Sequence, residues 1–319
     1  MNFEFFDGFK SGGYDLWDSW TGTPVVTTVS GMDGYCLFLN ATETSVAKAI
    51  SAANDYYFAF KMKPTYPGLR VISFYNGATL LGYLDLSSGM VLSAYAGPST
   101  LLASAVANLT LSQVYLIEIY YKPHSSAGIF QVKVNGGLVI SVAAATAPST
   151  LQINKFAFRD SSAAGAVYFG DVMVADAWIG NKSIQGIVPN AVGATTEWTP
   201  SVGNNYSCVD EVPASDTDYT VINAIDKLDT FGASDLSGVI ANVLAIQVQA
   251  RCVQEGAPTP LNIKMAIRSG GVDYLSGDYA VPTTTPKSLA HIWNTNPLDS
   301  SPWLEAEIDA AEIGYKSAT

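Results

Sequence analysis

Short segments in which apolar and polar residues alternate, separated by turn-forming residues, make up most of this chain of 319 residues. In residues 57–63, for example, Phe58, Phe60 and Met62 fall on one side of an extended strand. Successive side chains of a strand point to opposite faces, so this alternation is typical of a strand with one buried face. Long amphipathic helical runs are nearly absent. The pattern therefore predicts an all-β fold.

The N-terminal half is predicted to form a two-sheet sandwich, because its strands follow one another without intervening helices. Residues 76–79 are expected to join one hairpin. Asn135-Gly136 supplies the positive φ angles of a second tight turn. Besides residues 57–63, the predicted strands are residues 70–75, 80–86, 116–122, 128–135, 138–142, 155–159 and 167–174.

The C-terminal half is predicted to form a smaller, sandwich-like β domain with one short helix. Residues 240–253 alternate throughout and predict a long strand, in which Asn242 marks a bulge or the beginning. Ser301-Pro302 is typical of a helix N-cap followed by proline in the first turn, so a helix is expected over residues 302–309. Shorter strands are predicted at residues 219–222, 227–231, 263–268 and 272–275.

Glycine and proline residues punctuate the chain between residues 179 and 193, which marks a join between domains. The predicted organisation is a sandwich at residues 1–180, a linker at 181–193 and the smaller β domain at 194–319. No apolar stretch is long enough to cross a bilayer, and the N terminus lacks the pattern of a secretory signal. We therefore expect no membrane partner and synthesis in a cytoplasm.

Charge divides unevenly between the halves. Residues 1–185 carry 12 acidic and 10 basic residues (net −2), whereas residues 186–319 carry 16 acidic and 6 basic residues (net −10). An acidic domain repels phosphate backbones, so nucleic-acid binding is disfavoured. Solubility of densely displayed copies is our interpretation of the excess acid.

Few residues are suited to catalysis or metal binding. The chain has 3 cysteines, without a Cys-x-x-Cys pair, and 2 histidines, His124 and His291, far apart in sequence. Zinc sites and histidine-based acid–base catalysis need such residues in clusters. A Gly-x-Ser-x-Gly nucleophile turn is also missing. The sequence predicts no cofactor, no metal site and no enzymatic activity.

One motif favours an enzyme. Glu307, Asp309 and Glu312 match Glu-x-Asp-x-x-Glu, which resembles the signature of laminarinase-type glycosidases, enzymes with a concanavalin-like fold. Retaining hydrolysis requires two carboxyl groups about 5–5.5 Å apart. The motif lies outside the predicted sandwich, and a helix over residues 302–309 would scatter its carboxylates. We therefore interpret the match as coincidence and treat a hydrolase as the least favoured alternative.

The sandwich could instead bind sugar, through aromatic rings that stack on it and polar groups at their edges. The candidate glycan contacts are Trp17, Trp20, Tyr75 and Tyr83, with Tyr66, Tyr95, Tyr120 and Tyr121 as further aromatic candidates. Asp160, Asp171 and Asp176 are candidates for calcium ligands, although no compact calcium-binding motif is present.

The strand order and several motifs resemble the concanavalin-like or laminin-G-like jelly roll over residues 3–179. The resemblance begins at Phe6-Asp7-Gly8-Phe9 and includes Trp17 and Trp20. Its later motifs are Phe-Ala-Phe-Lys at residues 58–61, Tyr-Leu-Ile-Glu-Ile-Tyr-Tyr at 115–121, Phe-Gln-Val-Lys-Val-Asn-Gly at 130–136 and Phe-Gly-Asp-Val-Met-Val-Ala-Asp at 169–176.

Residues 196–218 begin Thr-Glu-Trp-Thr-Pro-Ser-Val-Gly-Asn-Asn-Tyr, and the chain ends with Trp-Asn-Thr-Asn-Pro at 293–297, Trp303 and Glu-Ile-Asp-Ala-Ala-Glu-Ile-Gly at 307–314. This arrangement resembles structural proteins of tailed bacteriophages, in which a laminin-G-like sandwich precedes a second β domain. The resemblance implies a non-enzymatic virion component, made in the host cytoplasm. It favours a tail or adsorption part; capsid decoration and a glycan-binding receptor-recognition module are the alternatives.

The expected partners are other virion proteins, and a host-surface glycan for the receptor-recognition alternative. Phage symmetry predicts a homo-oligomer, a trimer or a ring. The edge of the long strand at residues 240–253 is a candidate for pairing with a neighbour. Residues that a sandwich core does not require are candidates for a docking surface: Trp198, Asp210, Glu211 and Trp293.

Overall fold

The computed structural model describes residues 1–40, 44–159, 166–238, 242–256 and 260–319. The chain divides into two compact units, an N-terminal unit at Met1–Ile184 and a C-terminal unit at Gln185–Thr319. The predicted all-β class is confirmed: an antiparallel two-sheet sandwich precedes a smaller β unit, in which the described residues include one short α-helix. No helix of the described residues is long and apolar enough to span a membrane.

The described residues of the N-terminal unit form fifteen strands in two sheets. They are β1 (Phe3–Asp7), β2 (Ser19–Thr21), β3 (Val25–Thr28), β4 (Tyr35–Leu39), β5 (Ser45–Ala53), β6 (Tyr56–Pro64), β7 (Leu69–Asn76), β8 (Thr79–Leu86), β9 (Val91–Ala96), β10 (Thr100–Asn108), β11 (Tyr115–Lys122), β12 (Gly128–Val134), β13 (Gly137–Ala144), β14 (Ile153–Arg159) and β15 (Val167–Ala175). Sheet I has the order β13-β12-β11-β6-β15-β4-β3, and β1 pairs with β15. Sheet II has the order β10-β9-β8-β7-β14-β5-β2.

Alternation along the strands separates the core from the outer surface. Phe58, Phe60 and Met62 of β6 are buried, as predicted, and face rings from sheet II. The Phe60 and Phe158 centroids, for example, lie 4.9 Å apart in an edge-on contact. Residues 57, 59 and 61 consequently point to the outer face of sheet I, on the side away from the core.

Both predicted hairpin turns are present. β7 ends at Asn76 and β8 begins at Thr79, so Gly77 and Ala78 form the first turn. Asn135 and Gly136 join β12 to β13 with φ angles of 49° and 83°. These positive angles are the reason that an Asn-Gly pair suits a two-residue hairpin turn.

The C-terminal unit is built around a sheet with the order β16-β19-β25-β21-β22, in which β23 also pairs with β21. Two small sheets, β17-β18 and β20-β24, accompany it. Phe231, Met265, Ile267, Trp293 and Trp303 lie in its core. The elements are β16 (Pro189–Thr196), β17 (Thr199–Pro200), β18 (Thr220–Val221), β19 (Leu228–Ala233), β20 (Ile246–Cys252), β21 (Asn262–Ser269), β22 (Val272–Leu275), β23 (Tyr279–Ala280), β24 (Lys287–Trp293), α1 (Glu305–Asp309) and β25 (Glu312–Ala318).

The long strand predicted at residues 240–253 is shorter in the structure. It pairs with β24 only from Ile246, which lies opposite Trp293, to Cys252, which lies opposite Lys287. After Trp293 the partner chain turns, and the Asn296 N–H bonds the Ser301 carbonyl. Residues 242–245 are irregular, and residues 240 and 241 lie outside the described residues.

The predicted helix is present but begins later than expected. Helix α1 covers Glu305–Asp309, with Leu304 rather than Ser301 at its N-cap. Trp303 is the physical reason. Its buried indole donates a hydrogen bond to the Trp293 carbonyl at 3.1 Å, and the next residue, Leu304, is extended with φ −98° and ψ 147°, so the helix begins only after this anchored residue.

Candidate functional site

Trp17 and Trp20 occupy different environments. The Trp17 ring is fully buried, and its Nε1 donates to Asp7 Oδ2 at 2.9 Å. The glycan contact predicted at Trp17 is therefore wrong, because no ring face is available outside the core. Trp20 is 48% exposed on the short edge strand β2, with its centroid 5.2 Å from that of Tyr14.

Tyr75 and Tyr83 lie on neighbouring strands of the outer face of sheet II. The Tyr83 ring is stacked on Tyr95 at 4.6 Å, and the Arg70 guanidinium lies 3.7 Å from its centroid. The glycan contact predicted at Tyr83 is therefore also wrong, because its ring is already covered. Tyr75 is half-buried beneath the Lys155 ammonium, 4.6 Å from the ring centroid. Two strands, β14 and β5, separate these tyrosines from β2, so the structure does not bring the four predicted residues together.

A pocket of about 400 Å³ lies instead on the outer face of sheet I. Its floor comes from β6 and β11, and its rim comes from the turn between β12 and β13. Residues 176–184, which follow β15, supply the remaining side. The lining residues are Lys61, Val114, Leu116, Glu118, Asn135, Gly136, Gly180 and Asn181.

Glu118 is the buried acid of this pocket. It stands between Ala59 of β6 and Lys133 of β12 in the strand register, and only 3% of its surface is exposed. Its Oε1 accepts a hydrogen bond from the Gly180 N–H at 2.9 Å. Within the described residues its Oε2 accepts no hydrogen bond. One carboxylate oxygen is therefore fixed while the other is available to a ligand.

Lys61 forms the second charged group of the pocket floor. Its Nζ lies 2.7 Å from Asp33 and 2.8 Å from Asp171. Burial alone would lower the pKa of Lys61, but the hydrogen bonds and charges of Asp171 and Asp33 outweigh it, so the pKa is raised. Lys61 is thus held as a charged ammonium and is unsuited to act as a base at neutral pH.

A bulge in β15 explains how Asp171 reaches this face. The register with β6 shifts between Gly170 and Met173, and Asp171 has a φ of 47°. Bulges turn a side chain away from its regular face. The Asp171 carboxylate thereby meets Lys61, and its Oδ1 accepts the Ile184 N–H at 3.2 Å.

Aromatic rings lie near Glu118 on the outer face of sheet I, outside the pocket lining itself. Tyr57 and Tyr120, on the same outer face, stack with centroids 4.4 Å apart. The Trp178 ring meets Tyr57 edge-on at 5.1 Å. The Lys133 ammonium lies 3.7 Å over the Trp178 ring, a cation–π contact that occupies this lysine.

Two asparagines add amide groups at the rim. Asn135 Oδ1 accepts the Leu116 N–H at 2.9 Å. Because that bond identifies the side-chain oxygen, the Nδ2 group of Asn135 is left to donate outward. Asn181 is exposed at the opposite side of the pocket. The site therefore combines one carboxylate acceptor with neutral amide donors.

The candidate calcium ligands do not form a site. Asp171 is engaged with Lys61, and Asp176 accepts two hydrogen bonds from Asn2 at 2.8 Å. Asp160 lies outside the described residues. Among the residues with described positions, no group of three acidic, histidine or cysteine side chains could hold a metal ion.

The predicted docking residues differ in exposure. The Trp293 ring lies in the core with 8% of its surface exposed, so its assignment to a docking surface is wrong. Trp198 is half-buried, its centroid 4.8 Å from that of Tyr315, and its Nε1 donates to the Lys227 carbonyl at 3.0 Å. Asp210 and Glu211 remain partly exposed.

The carboxylates of the glycosidase-like motif serve local structure. Glu307 and Asp309 belong to α1, whereas Glu312 begins β25. Each of the three accepts a backbone N–H from a different segment, donated by Leu304, Leu236 and Ala194 respectively, at 3.0, 3.0 and 2.8 Å. This use of the oxygens agrees with the interpretation of the motif as coincidence.

Sequence reasoning missed Lys61, Glu118, Asn135 and Asn181. One signal was present: Glu118 is a charged residue within the apolar run Tyr-Leu-Ile-Glu-Ile-Tyr-Tyr. A charge at a position flanked by core residues has to be paired or functional. The position of residues 176–184 across the sheet had no comparable signal.

No known protein family and no curated protein matches the sequence. Among solved structures, a sialidase aligns over 54% of this chain and 18% of its own, at 14% identity and a TM-score of 0.41. The endo-beta-1,4-glucuronan lyase from the fungus Trichoderma reesei aligns over 55% of this chain and 95% of its own, at 13% identity and a TM-score of 0.41. The carbohydrate-binding module CBM66 from Bacillus subtilis aligns over 50% of this chain and 97% of its own, at 10% identity and a TM-score of 0.35. The chain thus spans less than a fifth of the sialidase, and likenesses of this size establish no activity.

Proposed function

We propose that the N-terminal unit is a glycan-binding module without catalytic activity, carried by a structural protein of a tailed-phage virion. The observation that supports it is Glu118, which is buried in a pocket of about 400 Å³ with one oxygen uncommitted. Small-ligand sites are concave and combine apolar walls with a few placed polar groups, as this pocket does.

The groups around Glu118 suit sugar hydroxyls. A hydroxyl both donates and accepts, so it can donate to Glu118 Oε2 and accept from the Nδ2 of Asn135. Val114 and Leu116 offer apolar surface to the carbon atoms of a sugar ring. The nearby Trp178 extends the site with an aromatic ring.

The charge states support binding rather than cleavage. Lys61 is held protonated by two carboxylates, so it is a poor proton acceptor. The carboxylates that resemble a glycosidase pair bond backbone groups of the C-terminal unit. A direct assay of polysaccharide cleavage tests this part of the proposal.

The virion role rests on the resemblance of residues 196–315 to phage structural proteins. We propose a tail or adsorption part that displays the N-terminal unit and docks through the C-terminal unit on other virion proteins. A homo-oligomer, as a trimer or a ring, remains part of this proposal. Imaging of the virion with an antibody against the N-terminal unit distinguishes the tail from capsid decoration.

A glycan array with the full chain tests the binding function, followed by calorimetry with the best hit. We expect saturable binding that Glu118→Gln weakens about tenfold, because a charge-assisted hydrogen bond contributes about 1–2 kcal/mol more than a neutral one. Glu255→Gln, at an exposed position of the C-terminal unit, is the matched control and should bind normally. Absence of saturable binding to every glycan would overturn the proposal.

A further inference from the structure

We propose that the pocket on sheet I selects a neutral sugar, recognised through adjacent hydroxyl groups, and rejects the corresponding uronic acid. This inference rests on the proposed glycan-binding function. It adds the chemical class of the ligand, which follows from the charges and hydrogen-bonding groups that the pocket leaves available.

The available acceptor is an anion. Glu118 has Oε1 fixed by the Gly180 N–H at 2.9 Å, and Oε2 is uncommitted within the described residues. Two adjacent hydroxyls satisfy this end of the site well, since one donates to Oε2 and the next accepts from the Asn135 amide. A sugar carboxylate placed here would face Glu118 as a like charge.

The cation among the described lining residues is already paired with acids. Lys61 bonds both Asp33 and Asp171, so its single positive charge is shared by two carboxylates. Lys133 is not a lining residue, and its ammonium lies over the Trp178 ring, 3.7 Å from the centroid. A uronate requires a free cation to offset the loss of its hydration. The lining residues described here do not supply one.

The size and walls of the pocket fit a short sugar segment. A volume of about 400 Å³ lies at the lower end of the range for small-ligand sites. Val114 and Leu116 form the apolar part of the lining. The site is therefore suited to one or two sugar residues, with an apolar ring face against β11 and hydroxyls toward Glu118.

The test compares neutral sugars with uronates that differ only at C6. Immobilised pairs of glucose and glucuronate, galactose and galacturonate, and mannose and mannuronate oligosaccharides are titrated with the full chain. For each pair that binds, we expect the uronate Kd to be at least about tenfold higher than the neutral Kd. The ratio should fall as salt is raised, because salt screens repulsion between charges.

Two variants separate charge from structure. Glu118→Gln should weaken binding of the neutral sugar and bring the ratio of the uronate Kd to the neutral-sugar Kd close to one. Thermal unfolding checks that this variant folds. Asn135→Asp keeps the turn, since Asp-Gly suits the same geometry, and should raise the ratio because it adds a carboxylate at the rim. This second variant keeps the test valid if Glu118→Gln does not fold.

The outcomes distinguish this inference from the proposed function. Binding to uronates as tight as or tighter than to neutral sugars would overturn the selectivity and leave glycan binding intact. A ratio that Asn135→Asp does not change would also overturn it. No binding to any member of the series would refute the proposed function itself.

Discussion

Asp7 should make the stability of the N-terminal unit depend on pH near neutrality. Its carboxylate is buried, with Oδ1 accepting the Phe9 N–H at 2.7 Å and Oδ2 accepting the Trp17 indole N–H at 2.9 Å. Desolvation raises the pKa of Asp7 to about 7, against the opposing effects of these two bonds and of Lys48. Asp15 adds a smaller effect that also raises the pKa.

Proton linkage determines whether the unfolding free energy rises or falls with pH. An aspartate in the unfolded chain has a pKa of about 3.9. The folded state binds the proton more tightly than the unfolded state. The contribution of Asp7 to the unfolding free energy is therefore fully present below a pH of about 4 and is lost as the pH rises to about 7. Above that value the loss is constant. The separation of the two pKa values corresponds to about 4 kcal/mol of unfolding free energy.

Hydrogen exchange of the full chain measures this loss. Peptides from β6 and β15 report opening of the sandwich core alone, and Asp7→Asn removes the titrating group. Comparison of the two proteins at the same pH cancels the pH dependence of the exchange reaction. The unfolding free energy of wild type minus that of the variant should decrease between pH of about 4 and 7 and then remain level. A difference independent of pH would refute the desolvation argument. A difference that increases with pH would show that the two N–H donors keep Asp7 charged.

Three further changes test single contacts, each by denaturant unfolding. Lys61→Met should destabilise the N-terminal unit by about 3–5 kcal/mol, because it leaves the buried Asp171 carboxylate without a cation. Gly314→Ala should destabilise or prevent folding of the C-terminal unit, since an added Cβ would lie 2.0 Å from a backbone oxygen, whereas Gly277→Ala, in open space, should not. Glu307→Gln should cost less than about 1 kcal/mol, because glutamine can still accept the Leu304 N–H and only the negative charge at the N-terminus of α1 is lost. Neither this variant nor wild type should cleave glycans. Cleavage lost in this variant would contradict the coincidental interpretation of the motif.

Local alternation was sufficient to predict much of the N-terminal unit. Residues 57–63 alternate because one face of β6 is buried, and the structure buries Phe58, Phe60 and Met62. The Asn135-Gly136 turn was equally predictable, because few residue pairs accept two positive φ angles. These features depend on neighbours in sequence, where a single chain carries its strongest signals.

The pocket depends on contacts that sequence patterns do not encode. Glu118 and Gly180 are 62 positions apart, and they meet only because residues 176–184 cross the outer face of sheet I. The bulge that turns Asp171 toward Lys61 leaves no recognisable pattern in the sequence of β15. Similarly, β20 begins only at Ile246, opposite the point where its partner turns away after Trp293, although the alternation in the sequence starts earlier.

The tryptophans show why residue type alone could not identify a binding surface. An indole N–H that is buried requires an acceptor, and Trp17, Trp198 and Trp303 each donate to an oxygen of their own unit. Such a ring is committed to the core or its border, whatever its place in a family motif. Within the described residues Trp178 donates no such bond, and it lies half-buried beside the pocket. Burial of the ring together with the partner of its indole N–H, both of which only the fold reveals, therefore separates structural tryptophans from those that remain available to a ligand.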